Sequence, residues 1–178
     1  MTEPALQYQR NRRAHWDRIA GERQNSSPAA NYHRRLMKIY QFLTPQSQKV
    51  LEIGCAAGDL LSQLKPSLGV GIDLSGEMVK RGAKRYPNIH FMQGDAHHLC
   101  FNTKFDIIIL SDLVNDLWDV QSVFEEIRGI ATPRTRIIIN TYSRLWEIPL
   151  TLAQHFGQST PLLPQNWLTV QDLIGLLN

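Results

Sequence analysis

The nine residues Val50 to Gly58, VLEIGCAAG, constrain this chain more than any other stretch. Val50, Leu51 and Ile53 make the apolar run of a buried strand, and Gly54 ends it abruptly. Cys55, Ala56, Ala57 and Gly58 then form a small-residue loop opening into a helix at Asp59-Leu60-Leu61. Backbone without an intruding Cβ lets a ligand approach closely, and a helix start offers unpaired N–H groups. Strand, tight turn and helix start together make a nucleotide-site geometry. The dinucleotide fingerprint G-x-G-x-x-G does not fit, because Gly54 and Gly58 are four apart with Ala56 between them. Glu52, on the strand, would repel a pyrophosphate and suits a ligand carrying an ammonium or a sulfonium. Both details disfavour an NAD-dependent oxidoreductase.

Glu52-Ile53-Gly54-Cys55-Ala56-Ala57-Gly58 resembles the first motif, E/D-x-G-x-G-x-G, of the class I S-adenosylmethionine-dependent methyltransferases. It departs only by Ala56 for the middle Gly, which matters if that position needs φ > 0. The resemblance implies a Rossmann-like methyltransferase fold, S-adenosylmethionine as cofactor and S-adenosylhomocysteine as product. It assigns Glu52, Gly54, Cys55, Ala56 and Gly58 to the cofactor. An ordinary buried strand followed by a Gly-rich turn is the alternative.

At 178 residues, 43% hydrophobic and 20% charged, one globular domain with a sizeable core is expected. No run approaches the ~18 apolar residues of a membrane span, and the polar N-terminus reads as lacking a signal-peptide core. Cys55 and Cys100 show no metal-ligand spacing, so no metal is expected and the reading is a reduced, cytoplasmic protein. The net charge of +3 is uneven: residues 1–40 hold 8 Lys/Arg against 3 Asp/Glu, and the remainder 11 against 13. A basic segment can meet nucleic acid, but no aromatic-interleaved basic platform follows it, and a solvated helix face is preferred.

Along the chain, residues 8–23 suggest an amphipathic helix carrying Trp16, Ile19 and Ala20. A second, from about Ala29 to Phe42, would place Tyr32, Leu36, Ile39 and Tyr40 on one side and stop at Pro45. From Lys49 strands and helices alternate: strands 50–53, 69–73, 89–92, 105–110 and 136–140, with helices 58–65, one capped by Ser75, and 120–130. Five such strands predict a mostly parallel α/β sheet with helices on both faces and ligands at the strands' C-terminal ends. The expected layout is a single domain, 1–178. Within it, 1–45 are lid helices, 46–142 the cofactor-binding core and 143–178 an incomplete C-terminal part.

Asp73 ends the second strand 19 positions after Gly54, where a carboxylate reaches a ribose and accepts from both hydroxyls. The alternative is an acid favoured by the dipole of the helix that Ser75 caps. By the resemblance, Asp95 accepts from the adenine amine and Ala96 offers its backbone N–H to the ring, while Leu74 and Met78 flank the base and Ser111 closes the cofactor set. Residues 111–118, SDLVNDLW, occupy the acceptor side, where Asp112, Asn115 and Asp116 are candidates to orient a nucleophile or take its proton. His15, Trp16 and Tyr32 are candidate lid residues; Trp118 and Tyr142 are further acceptor-side candidates, with Arg144 and Trp146 nearby. Core packing is the alternative for the aromatics. His97 and His98 are read as loop residues, because adjacent histidines rarely point one way.

The family's sheet has seven strands, and here strands 6 and 7 find no room. Thr169 and Asp172 look like a capping box opening a last helix. The chain is thus expected to be a fragment or an unusually small sheet. Its fifth strand and the stripe Val170, Leu173, Ile174 and Leu177, lacking an obvious partner, point to a homodimer. The expected function is methyl transfer from S-adenosylmethionine to an oxygen or nitrogen of a small molecule. The competing class is a non-catalytic cofactor-binding or interaction module.

Overall fold

The computed structural model describes residues 2–21, 29–141, 163 and 165–177. Among these residues the sheet has five strands: β1 (Lys49–Ile53), β2 (Leu68–Asp73), β3 (His90–Gln93), β4 (Ile107–Ser111) and β5 (Arg136–Asn140). They run parallel in the order β3-β2-β1-β4-β5. The order reverses at β1, whose neighbours are β2 and β4, so a crevice opens beyond the C-terminal ends of β1 and β4.

Alternation along the strands divides the core. Leu51, Ile53, Val70, Ile72, Ile108 and Leu110 face α5 (Val120–Ile130), which presents Val123, Phe124, Ile127 and Ile130 to them. Val50, Ile107 and Ile109 point the other way, towards Tyr40 of α2 (Ala29–Leu43) and Leu61 of α3 (Asp59–Gln63). Each fully buried aliphatic side chain contributes ~1.5–3 kcal/mol, so these two layers hold the sheet rigid beneath its loops. Glu52 falls on the α2–α3 face, because it alternates with Leu51 and Ile53. On that face α4 (Gly76–Arg85) packs against β2 and β3, and α1 (Glu3–Gly21) packs on α4.

The elements depart from expectation mainly at their ends. α1 begins at Glu3, not residue 8; Pro4 is tolerated in the first turn, and Ala5 is already buried. On α2, Ile39 is 54% exposed and Tyr32 sits at the rim, so the inward face is Leu36 and Tyr40. β4 starts at Ile107, and just before it Asp106 anchors β1, its carboxylate accepting from Lys49 N at 2.8 Å. The capping box forms: Thr169 Oγ1 accepts from Asp172 N and Asp172 Oδ2 from Thr169 N, opening α6 (Val170–Leu177). The α6 stripe does have an intramolecular partner, because Leu173 is buried in the layer that α5 lines; Val170, Ile174 and Leu177 stay exposed. No helix among the described residues is long and apolar enough to cross a membrane.

Candidate cofactor and acceptor site

Beyond β1 the backbone turns through three left-handed residues, Gly54 (φ +73°), Ala56 (φ +46°) and Gly58 (φ +75°). A Cβ on Gly54 would come within 2.8 Å of Leu113, and one on Gly58 within 2.4 Å of the Phe91 ring. Ala56 occupies the middle left-handed position, so the departure from the motif is a strained residue rather than a reshaped turn. Its N–H donates to Asp73 Oδ2 at 2.8 Å, and Ser75 N donates to Asp73 Oδ1 at 2.8 Å. A carboxylate accepts about four hydrogen bonds, so two positions of Asp73 remain for hydroxyls. Burial raises its pKa, against the pull of the two backbone donors.

Glu52 is 3% exposed, and its Oε2 has no hydrogen-bond partner among the described residues. Burial pushes its pKa up to about 8, eased by the Leu61 N–H and reinforced by Asp73 and Asp59. Such an orphaned acceptor, beside a loop with no room for added Cβ atoms, fits a ligand bearing cationic nitrogen or sulfur.

Asp95, after β3, is held on both oxygens. His97 donates to Oδ1 from its ring Nδ1 at 2.7 Å and from its backbone N–H at 3.0 Å, while the Gln9 carboxamide of α1 donates to Oδ2. Burial would raise this carboxyl, but His97 and Gln9 outweigh it and hold the pKa below the usual range. α1 also reaches the α4 N-terminus, where Asp17 Oδ1 accepts from the Ser75 hydroxyl and from Glu77 N. Met78 packs with Ile19 and Ala57 beneath α1, Leu74 is half-buried, and Ala96 lies against the α5-side core.

The three acceptor-side candidates separate cleanly. Asn115 is fully buried and structural: Nδ2 donates to Asn166 O at 2.6 Å, and Oδ1 accepts from Thr141 Oγ1 at 2.7 Å. Asp116 is bound by Arg12 at 2.8 Å, Trp16 Nε1 at 3.2 Å and Gln165 Nε2 at 3.3 Å. Asp112, at φ +53° just past β4, accepts from Tyr32 Oη at 3.2 Å and from Asn140 Nδ2. Burial raises its pKa despite Tyr32, Asn140 and the nearby His33. Tyr40 donates to Asn140 Oδ1. Its hydroxyl is pushed up to about 12, first by burial, with Ser111 opposing and Asp112 and Glu52 reinforcing.

Residues 46–172 match the methyltransferase domain family. This chain belongs to the class I S-adenosylmethionine-dependent methyltransferases. A demethylmenaquinone methyltransferase of Thermotoga maritima is 29% identical over 113 residues, 61% of this chain and 48% of that protein. The chain thus spans less than half the length of the curated relatives it matches. In structure it resembles a chain of the complex between the Haloferax volcanii Trm112 methyltransferase activator and a methyltransferase. That TM-score is 0.75 at 18% identity, over 91% of this chain and 74% of the other. N-methyltransferase NodS of Bradyrhizobium japonicum WM9, solved with S-adenosyl-L-homocysteine, gives 0.70 at 16% identity, over 94% and 84%. At these identities the likeness speaks for the fold.

Within this methyltransferase domain, the expected cofactor residues gather at the C-terminal ends of β1, β2 and β3, and Ser111 ends β4. His15 is buried edge-on to Trp16, and Trp118 stacks edge-on with Tyr8 at 5.2 Å. Tyr142, Arg144 and Trp146 lie outside the described residues. The sequence reading missed Gln9, Arg12, Tyr40, His97 and Asn140 as site partners. Asn140 alone carried a local sign, a polar residue closing the run Ile137-Ile138-Ile139 at a strand's C-terminal end.

Proposed function

We propose that this domain transfers a methyl group from S-adenosylmethionine to an oxygen or nitrogen of a small-molecule acceptor, with Asp112 accepting the proton. One observation carries the reading. Glu52 and Asp112 belong to the ends of adjacent strands, β1 and β4, and Tyr40, packed on Glu52's face of the sheet, is joined to Asp112 through Asn140, which accepts from the Tyr40 hydroxyl and donates to the carboxylate. A cation-seeking carboxylate and a candidate base thus share one crevice. Glu52 faces the ammonium–sulfonium end of the cofactor, Asp73 its ribose and Asp95 its adenine amine.

Bound there, the cofactor supplies a methyl group on a sulfonium, an excellent leaving group. With a methyl-accepting oxygen or nitrogen seated beside it, Asp112 would take the proton that atom gives up as the methyl group leaves the sulfonium sulfur. Tyr32 and Asn140 fix that carboxylate by donating to it, so alignment contributes much of the catalysis. The name of the curated relatives, demethylmenaquinone methyltransferase, supports a small acceptor. The test is S-adenosylhomocysteine release against a panel of small hydroxyl and amine acceptors. Asp112→Asn should lower turnover roughly 10²–10⁴-fold with cofactor affinity unchanged. Cofactor binding without transfer to any acceptor would favour a non-catalytic module.

A further inference from the structure

The histidine after the third strand is built into the site in a way its sequence position does not suggest. Its Nε2 accepts from the backbone N–H of Asp119 at 3.2 Å, so the ring proton sits on Nδ1 and points at Asp95 Oδ1, 2.7 Å away. The His97 backbone N–H lies on that same oxygen. Oδ1 is therefore engaged twice, and Oδ2 is left as the oxygen that meets a ligand. The amide of Gln9 already donates to it, so the pocket accepts an N–H donor at that point. At the far side, Asp119 caps α5 by accepting from Ser122 N, and it directly follows the acceptor loop. One imidazole thus spans from the Asp95 carboxylate to the end of residues 111–118, with both nitrogens committed and the pair largely buried.

We propose that His97 is a positioning residue for cofactor specificity: it fixes Asp95 so that Oδ2 presents only an acceptor to the base. An exocyclic amine then gains a charge-assisted hydrogen bond. A carbonyl at the same position meets oxygen with oxygen and is rejected. The inference rests on the reading of Asp95 as the adenine contact. It goes beyond it by making the choice between an amino and an oxo purine depend on a side chain that touches no ligand.

The experiment compares the binding of S-adenosylhomocysteine with that of S-inosylhomocysteine, its 6-oxo analogue, by calorimetry. Wild type, Asp95→Ala, His97→Leu and His97→Asn are measured, with thermal midpoints to confirm folding. Wild type should prefer the amine by roughly tenfold to a hundredfold, the range set by one charge-assisted hydrogen bond. His97→Leu should reduce that ratio several-fold, towards the ratio of Asp95→Ala. His97→Asn, whose amide N–H lies near the Nδ1 position, should restore most of it. A purely structural role would weaken both ligands alike, so an unchanged ratio in His97→Leu overturns the proposal. A wild type that does not discriminate would instead refute the adenine assignment of Asp95, and the proposal with it.

Discussion

Glu52 is a carboxylic acid that the fold keeps protonated near neutrality. Its pKa of about 8 in the folded chain stands above the ordinary value of 4.5. The folded state therefore holds the proton more tightly than the unfolded one. The resulting stability is complete below pH ~4.5 and is lost as pH rises to about 8, by on the order of 4 kcal/mol. Denaturant midpoints of the ligand-free protein should fall across that window, and those of Glu52→Gln should stay flat there. Binding a cationic ligand favours the carboxylate, so calorimetry near pH 7 in buffers of different ionisation heat should show proton release that Glu52→Gln lacks. Ala56 offers a second test at this scale. Its φ of +46° is strained for a residue with a Cβ, and Ala56→Gly should gain about 1 kcal/mol in chemical denaturation. A less stable variant would contradict the strain. Both residues were legible in the sequence, because a motif with fixed spacing states where a carboxylate and a left-handed turn must lie. Gln9 was not, and Asn140 showed only as a polar residue closing a strand, since each meets its partner through the fold, 86 residues away for Gln9–Asp95 and 28 for Asn140–Asp112.

Elements were legible where local chemistry and packing agree. The stripe Val123, Phe124, Ile127 and Ile130 places a helix at about 120–130, and α5 has those bounds behind an Asp119 cap that the structure adds; the run Arg136–Asn140 likewise became β5. The start of α1 was harder to read, because five of its residues precede the apolar pattern and of these Ala5 alone is buried. Packing also decides what α1 does. It lies across the cofactor loop, with Trp16, Ile19 and Ala20 against Ala57 and Met78, and its Gln9 amide sits on the Asp95 oxygen that an adenine amine would need. In this arrangement the amide and a cofactor amine would share one acceptor oxygen, each weakening the other's bond. Gln9→Ala should therefore tighten S-adenosylhomocysteine binding by roughly threefold to tenfold, part of a single hydrogen bond to a charged group. Weaker binding would mean instead that Gln9 closes over the occupied site.

Across the whole molecule, the basic surplus of the first 40 residues is partly structural. Arg12 is 4% exposed, and its guanidinium lies over the Tyr8 ring at 4.6 Å while pairing with Asp116 at 2.8 Å. That ion pair joins α1 to the loop after β4 across 104 residues of sequence. Replacing Arg12 with Ala would leave a buried carboxylate with Trp16 and Gln165 as its donors among the described residues. Breaking a buried pair on one side commonly costs ~3–5 kcal/mol, and the two remaining donors place this case near the lower end. The loss need not be global, because the sheet keeps both of its apolar layers without α1. Hydrogen exchange in Arg12→Ala should therefore show faster amides over residues 3–21 and unchanged protection in β1 and β4. The double variant Arg12→Met with Asp116→Leu, which removes both charges, should recover much of the lost protection. Uniform loss across the sheet in the single variant would show that α1 belongs to the folding core. Unchanged exchange in α1 would show that the ion pair does not fasten it.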